Sequence, residues 1–432
     1  MVILPLRRHE ILPADARAAR EVGAASIVTT RHKPDSCMGC ACASHGTDFS
    51  SVEGTGANGV LLVAEASGEM EARDQLPLRP YAPAGSLLER SLRRMGMDRQ
   101  QFSITNVLRC RPRNNWLEGS PHEYSAINHC RPNLDAVIAE RRPRCIVALG
   151  GVALRELTGM AGEARGIGHL AGYVLPGPNN TPTIGDFHPA FLRRGKSSHQ
   201  GLFARILNRA VNIAAGKDHD YLWGIVPGER STHGLLRYTV HPSLDEARDF
   251  ARRVADNGGL PLSYDIETFE SASLDEDARE GFTDTQLRLV QFSLGGGEGI
   301  AFPWEGEYRK IAGEILHSTN VKCGHNVWLF DNKVLRAAGE REGLDLNPRG
   351  VIHDTLQMFH HWQPDLSAHL QFCAQFVSYP FPWKHLAASD IEFYGCCDVD
   401  ATLRLYTFLE GALKRDGIWD DESYLQVHGA VA

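Results

Sequence analysis

Acidic side chains recur in this sequence at spacings that would let them meet in three dimensions. Asp265 and Glu267 lie two residues apart within residues 262–268. That stretch is predicted to be a β-strand, so both side chains would leave the same face. Tyr394 and Asp398 lie four residues apart, as on one face of a helix. A carboxylate cluster is costly unless cations neutralise it, and hard oxygen ligands favour Mg²⁺ or Mn²⁺. In the displacement at a phosphodiester, two such ions can bind the attacking oxygen of the nucleophile and the leaving oxygen of the ester.

A third acidic motif lies between these two, and it contributes Asn326 and Asp331. The order and spacing of the three motifs resemble the RNase H-like 3′–5′ exonucleases of the DEDDy type, as in the proofreading domain of family A DNA polymerases. The resemblance covers roughly residues 236 to 416. It implies metal-ion ligands at four carboxylates, with the first as the bridge between two ions: Asp265, Glu267, Asp331 and Asp398. It also implies that Tyr394 orients the attacking water, and that the substrate is the 3′ end of single-stranded or primer-template DNA.

Several neighbouring residues offer alternative interpretations. Asp400 lies beside Asp398, but the four-residue gap from Tyr394 favours Asp398. Asp354 precedes a helical stretch and is better explained as a helix N-cap than as a ligand. Asn326 either supports the second motif or touches the DNA backbone. A separate histidine metal site is also conceivable, but chance adjacency explains its members more simply: His325, His360 and His361.

The first half of the chain holds a different constellation, Cys37-x-x-Cys40 followed by Cys110 and Cys130. Four thiolates brought together suit Zn²⁺ or an iron–sulfur cluster, and spacing alone does not choose between them. The alternative is that Cys110 and Cys130 are small buried apolar residues.

The segments around these cysteines resemble the family 4 uracil-DNA glycosylases over roughly residues 30 to 213. The resemblance is carried by residues 63–68, 104–107 and 187–189. It implies a [4Fe–4S] cluster on four cysteines: Cys37, Cys40, Cys110 and Cys130. It further implies that Asn106 hydrogen-bonds a flipped uracil and that His188 stabilises the developing uracil anion. Three more residues would line this pocket, Tyr81 as a stacking aromatic and two acids: Glu65 and Glu71.

The first segment departs from that family's pattern at three positions. Ala64, Ser67 and Ala72 stand where the family has Gly, Pro and Asp, and the stretch 80–83 is a residue short. Two interpretations therefore stay open for this half. It is either an active glycosylase or a module that only binds DNA or a replication partner. In the second case the cluster would only stabilise the fold.

Composition sets the wider frame. The chain has 432 residues, enough for two or three domains. Residues 1–235 hold 28 Lys and Arg against 22 Asp and Glu, whereas residues 236–432 hold 17 against 31. This asymmetry indicates two modules, the basic one facing a nucleic-acid backbone or simply solvent. No apolar run approaches the roughly 20 residues of a membrane span, and the N-terminus shows no signal-peptide pattern. The sequence therefore predicts a protein of the bacterial or phage-infected cytoplasm. In that compartment, we expect the cysteines to form no disulfides.

The order of elements predicts the fold class, two α/β domains. Strands at 59–64, 102–107 and 145–149 alternate with helices at 86–95, 132–141 and 150–157, which favours a mainly parallel sheet. The predicted domains are a uracil-glycosylase-like unit at 1–215 with a helical lead-in over 1–35, a linker at 216–235 and an RNase H-like unit at 236–432. Residues 423–428 resemble the helix that leads into a polymerase domain. The chain is thus expected to be the N-terminal part of a bacteriophage-type family A polymerase, or a two-domain nuclease.

Overall fold

The computed structural model describes the chain in five ranges: 33–43, 49–159, 166–219, 236–269 and 285–419. It divides into two compact units, Met1–Trp223 and Gly224–Ala432, and the boundary falls inside the predicted linker. Most of that linker lies outside the described residues, as do nearly all of the predicted helical lead-in and the predicted tail helix at 423–428. Within the described ranges, none of the helices combines the length and the apolar character needed to cross a bilayer.

The first unit is built on a sheet whose described strands are β1 (Val60–Ala66), β2 (Ser103–Leu108), β3 (Cys145–Leu149), β4 (Val174–Pro176) and β5 (Pro182–Asp186). Their order is β2-β1-β3-β5-β4. All neighbours pair in parallel except β4 with β5. The predicted parallel α/β sheet is therefore confirmed, and the loops that follow β1, β2, β3 and β5 leave the same edge.

The described helices of this unit are α1 (Glu69–Asp74), α2 (Pro83–Arg94), α3 (Glu123–Arg141), α4 (Gly151–Thr158), α5 (Gly166–Leu170), α6 (Pro189–Arg193) and α7 (Gln200–Ala214). One predicted boundary was wrong, because α3 begins at Glu123 and contains Pro132 in its interior. The turns before the proline place Ala126, Ile127 and Cys130 in the buried core beside the sheet. That burial outweighs the usual cost of about 3 kcal/mol for an interior proline.

The second unit is also built on one sheet, with described strands β6 (Arg237–Val240), β7 (Leu262–Thr268), β8 (Leu287–Ser293), β9 (Glu298–Pro303), β10 (Lys322–Gly324) and β11 (Ile352–Asp354). Their order is β11-β10-β7-β8-β9-β6. β8 runs antiparallel to both of its neighbours, whereas β10 and β11 run parallel to β7. Counted from β7 to β11, this is the 3-2-1-4-5 order of the RNase H-like fold, with β6 added at the edge.

Six described helices surround this sheet: α8 (Leu244–Asp256), α9 (Tyr308–Leu316), α10 (Asp331–Glu342), α11 (Thr355–Trp362), α12 (Leu370–Cys373) and α13 (Ile391–Arg415). The longest, α13, packs across β7, β8 and β9. Two glycines allow α13 to lie close to the sheet. A Cβ at Gly299 would lie 2.9 Å from the Cβ of Cys396, and one at Gly395 would lie 2.3 Å from Nε2 of Gln291. The residues of α13 around position 396 therefore pack tightly against β8 and β9, and β8 is the neighbour of the strand that carries Asp265.

Candidate functional site

Three carboxylates of the predicted set meet in the second unit. Asp265 and Glu267 project from the same face of β7, and Asp398 comes from α13. One oxygen from each lies within 4.8 Å of the others. The strand alternation and the helix spacing predicted from the sequence therefore bring these groups together.

Asp331 joins the same group through the backbone of β7. It is the first residue of α10, and its Oδ1 accepts a hydrogen bond from the N–H of Ile266 across 3.2 Å. Ile266 lies between Asp265 and Glu267, so this hydrogen bond holds Asp331 beside both acids of the strand.

Burial and mutual repulsion raise the pKa values of these acids. The pKa of Asp265 lies well above its usual value, because the carboxyl is buried and Asp331, Asp398 and Glu267 are close. The same causes raise the pKa of Glu267 to about 8, chiefly burial and then Asp398. Burial raises the pKa of Asp331 to about 7. Hard oxygen donors that repel one another this strongly fit a site for divalent cations.

Asp354 has the capping role predicted for it. Its Oδ1 accepts hydrogen bonds from the N–H of Leu356 (3.0 Å) and from the N–H of Asn326 (2.8 Å). The cap of α11 thus also fixes the loop before Asp331, where Asn326 has a φ of +70°. This backbone contact supports the second motif, whereas a contact of Asn326 with DNA remains a prediction.

Two residues that the motif spacing does not indicate complete the surroundings of Asp398. Lys384 donates hydrogen bonds to Oδ2 of Asp398 (2.7 Å) and to the hydroxyl of Tyr394 (2.8 Å). The fully buried Trp383 donates from Nε1 to Oδ1 of Asp398. Both oxygens of Asp398 therefore have a fixed partner, and Tyr394 is joined to Asp398 through one lysine.

The alternative candidates are engaged elsewhere. Asp400 accepts hydrogen bonds from the N–H of Gly297, the hydroxyl of Tyr238 and the guanidinium of Arg404. Nδ1 of His325 lies 2.9 Å from the Thr355 hydroxyl, and its Nε2 lies 2.9 Å from the carbonyl of Ala368. Both groups therefore serve packing, since their polar atoms already have protein partners.

In the first unit, Asn106 lies at the carboxyl edge of the sheet. It is buried on β2, paired with Ala64 of β1, and its Nδ2 donates to Oγ of Ser67 at 3.3 Å. Ser67 is one of the residues that depart from the glycosylase pattern. A proline there could not accept this bond, so the departure alters the contacts of the predicted base-reading amide.

His188 follows β5 at the same edge and caps α6. Its Nδ1 accepts a hydrogen bond from the N–H of Ala190 at 3.2 Å. A neutral imidazole that accepts at Nδ1 carries its proton on Nε2. Burial lowers the pKa of His188 to about 4, so the ring is neutral at pH 7. His188 therefore offers one oriented N–H donor.

The other predicted pocket residues divide between two places. Glu71 is buried close to Gly68, where a Cβ would lie 2.6 Å from its Oε2, and burial raises its pKa. The exposed ring of Tyr81 lies nearby between Arg73 and Arg79, whose guanidinium carbons are each 5.7 Å from its centre. The structure does not bring Glu65 to this group.

Glu65 instead faces the helices on the other side of the sheet. It follows Val63 by two residues, and Val63 packs in the core with α3 and α4. Burial raises its pKa, and the charged groups that act on it include Glu118, Glu123 and Arg155. Asn106 lies on the opposite face, because it is paired with Ala64.

The four predicted ligand cysteines lie close together and are free thiols. Every pair among them interacts electrostatically: Cys37, Cys40, Cys110 and Cys130. Burial, with a further contribution from neighbouring thiols, raises the pKa of Cys110 to about 12. A fifth thiol, Cys42, lies beside Cys40 and Cys130. Cys37, Cys110 and Cys130 are buried and Cys40 is half-buried, and such a group of thiols fits a metal ion or cluster that binds them as thiolates.

Comparison with known proteins identifies the first unit. Residues 53–211 match the uracil DNA glycosylase superfamily. The type-4 uracil-DNA glycosylase of Thermotoga maritima is 33% identical over 172 residues, which are 40% of this chain and 84% of that protein. The chain belongs to the uracil-DNA glycosylase superfamily. A second superfamily member, the type-4 enzyme of Pyrobaculum aerophilum, is 37% identical over 164 residues, 37% of this chain and 79% of its own length.

The match to the superfamily contains Cys110, Cys130, Asn106 and His188, whereas the second unit lies outside it. Among solved structures, Brucella melitensis NrnC with bound Mg²⁺ is similar at 18% identity and a TM-score of 0.29, over 38% of this chain and 79% of that one. The Trypanosoma brucei RNase D complex with RNA U12 is similar at 13% identity and a TM-score of 0.32. That similarity covers 46% of this chain and 72% of the RNase D chain.

Proposed function

We propose that the second unit is a metal-dependent 3′–5′ exonuclease that acts on DNA. The observation that carries this proposal is the meeting of Asp265, Glu267 and Asp398 within 4.8 Å, with Asp331 tied to the strand between the first two. These are the four acids of the DEDDy pattern, and they stand on the sheet order of the RNase H-like fold.

The residues of the site have separable roles in this proposal. Two divalent cations bound by the four acids would activate a water and offset charge on the phosphodiester. Tyr394 stays a neutral phenol, because burial and the nearby Asp398 raise its pKa. Its hydroxyl can therefore orient the water by a hydrogen bond without itself losing a proton. Trp383 and Lys384 hold the carboxylate of Asp398 in one orientation.

The test uses a double variant and a charge-matched control. Asp265→Ala with Glu267→Ala should abolish the Mg²⁺-dependent release of nucleotides from a 3′-labelled single strand. The control, Glu314→Ala with Asp365→Ala, removes two exposed acids and should retain wild-type activity. Undiminished release by the first double variant would refute the proposal.

We further propose that this activity serves proofreading, as the motif resemblance to family A polymerases suggests. The expected partner is a polymerase domain or a replication protein that delivers a primer 3′ end. A proofreading nuclease should remove a mismatched terminal nucleotide faster than a matched one on primer-template DNA. Equal rates on the two primers would contradict this assignment and leave the nuclease activity itself standing.

A second candidate function, uracil excision, belongs to the first unit. The supporting observation is His188, a neutral ring with an oriented Nε2–H, at the same sheet edge as Asn106. Such a donor suits an oxygen that gains negative charge when uracil leaves. Wild-type protein in EDTA should form alkali-labile sites in uracil-containing single strands. His188→Ala should lose most of this activity and His122→Ala, at an exposed position, should not. Absence of such sites with wild-type protein would favour a binding module.

A further inference from the structure

Lys384 lies outside the acidic motifs, yet it contacts two of their members. Its ammonium donates to Oδ2 of Asp398 and to the Tyr394 hydroxyl, and it lies 4.7 Å from the centre of the Tyr394 ring. The side chain is 23% exposed, so part of it remains in contact with solvent. The adjacent Trp383 is fully buried and anchors the segment on Asp398.

The direction of these bonds constrains the phenol. An ammonium has only hydrogen-bond donors, so the oxygen of Tyr394 must accept from Lys384. The O–H of Tyr394 therefore points away from Lys384, and the Asp398 carboxylate is an acceptor within its reach. The same ammonium occupies one side of Oδ2 of Asp398, which leaves the remaining lone pairs for a cation.

We propose that Lys384 is a positioning residue of the nuclease site, which sets the direction of the Tyr394 O–H and the orientation of Asp398 for attack on a phosphodiester. This inference rests on the exonuclease function proposed above and deepens it. Lys384 acts through Tyr394 and Asp398, and the geometry assigns it no contact with substrate.

The charge of Lys384 should affect cation binding at the site, which a residue that only supports the structure would not do in the same direction. The charged groups near it at this site are Asp265, Glu267 and Asp398, and its ammonium pairs directly with Asp398 at 2.7 Å. Divalent cations must bind the same carboxylates, so the lysine repels them. Removal of its charge should leave cation binding unchanged or tighter, while the loss of positioning should slow the reaction.

The experiment compares Lys384→Met and Lys384→Arg with Lys414→Met, which removes an exposed lysine paired to Glu410 at 2.7 Å on α13. For each of these proteins, kcat and KM are measured on single-stranded DNA with Mg²⁺, and Mn²⁺ affinity is measured without DNA by isothermal titration calorimetry. Lys384→Met should lower kcat by at least about 10-fold, with little change in KM and with Mn²⁺ binding as tight as in the wild type or tighter. Lys384→Arg should recover part of kcat, and Lys414→Met should match the wild type.

Two results would overturn the inference. A wild-type kcat in Lys384→Met would show that the lysine is only a counter-charge. A lower kcat together with weaker Mn²⁺ binding would show that the substitution merely disrupts the site. In both cases an active wild-type protein leaves the exonuclease proposal intact, whereas a wild-type protein without nuclease activity refutes that proposal itself.

Discussion

Oδ1 of Asp331 accepts a hydrogen bond from the backbone N–H of Ile266 across 3.2 Å. The bond joins the first residue of α10 to the middle of β7, at the position between Asp265 and Glu267. Two motifs separated by more than sixty residues in sequence are thereby fixed to one another by a main-chain contact. Asp331 is buried, so its charge acts on the neighbouring acids with little screening from water.

The first prediction separates the charge of Asp331 from its anchoring bond. In Asp331→Asn the amide oxygen can still accept from Ile266, so the fold should be retained while one anionic ligand is lost. Nuclease activity should fall by about 100-fold or more, with an unchanged circular dichroism spectrum. Asp365→Asn at an exposed position is the matched control. Activity of Asp331→Asn equal to the control would remove Asp331 from the ligand set.

The second prediction concerns the pH dependence of stability without metal. The folded-state pKa values of Glu267, about 8, and of Asp331, about 7, lie above those of the unfolded chain. The folded state thus binds more protons, and its stability falls as the pH rises from about 4.5 through about 8. In EDTA, the melting temperature of the wild-type protein should fall more steeply over this pH range than that of the Glu267→Gln variant. Mg²⁺ should reverse it. A wild-type profile as flat as that of Glu267→Gln would contradict the repulsion described here.

The third prediction concerns the proton on His188. Because the pKa is lowered to about 4, the folded state binds fewer protons than the unfolded state between about pH 4 and 6.5. His188 therefore costs stability as the pH falls through that window. Nuclear magnetic resonance of ¹³C,¹⁵N-histidine-labelled protein should show an Nε2–H tautomer at pH 7 and a titration midpoint near 4, with the signal assigned through its loss in His188→Gln. An Nδ1–H tautomer would exclude the donor role.

The fourth prediction distinguishes the cysteine ligands from their neighbour. Cys110→Ser should lose the bound metal or cluster and lower the stability of the first unit, whereas Cys42→Ser should retain it. Metal and sulfide analysis of anaerobically purified protein measures the difference. Visible absorbance favours an iron–sulfur cluster, since Zn²⁺ is colourless. Equal loss in both variants would place Cys42 among the ligands.

The sequence predicted what depends on local periodicity. The strand at 262–268 matches β7, and the first and third acidic motifs meet because a period of two on a strand and of four on a helix fixes where side chains point. Asp331 of the second motif joins them through its bond to the N–H of Ile266. The cap at Asp354 is equally local.

Contacts that depend on irregular segments were not predictable in the same way. Trp383 and Lys384 reach Asp398 from a stretch of short turns between α12 and α13, which has no period to interpret. The start of α3 was misplaced because Pro132 resembled a first helical residue, while tertiary burial carries the helix through it. Strand alternation turns Glu65 to the sheet face opposite Asn106, so its place in the uracil pocket stays a prediction.

The most direct test of the central claim, that the acids around Asp265 form a 3′–5′ exonuclease site, is the product pattern from a 5′-labelled single strand. With Mg²⁺, wild-type protein should shorten the strand one nucleotide at a time from its 3′ end and release nucleoside 5′-monophosphates, and EDTA should stop this. The variant Asp265→Ala with Glu267→Ala should leave the strand intact. Internal cuts, or shortening that persists in that variant, would contradict the account.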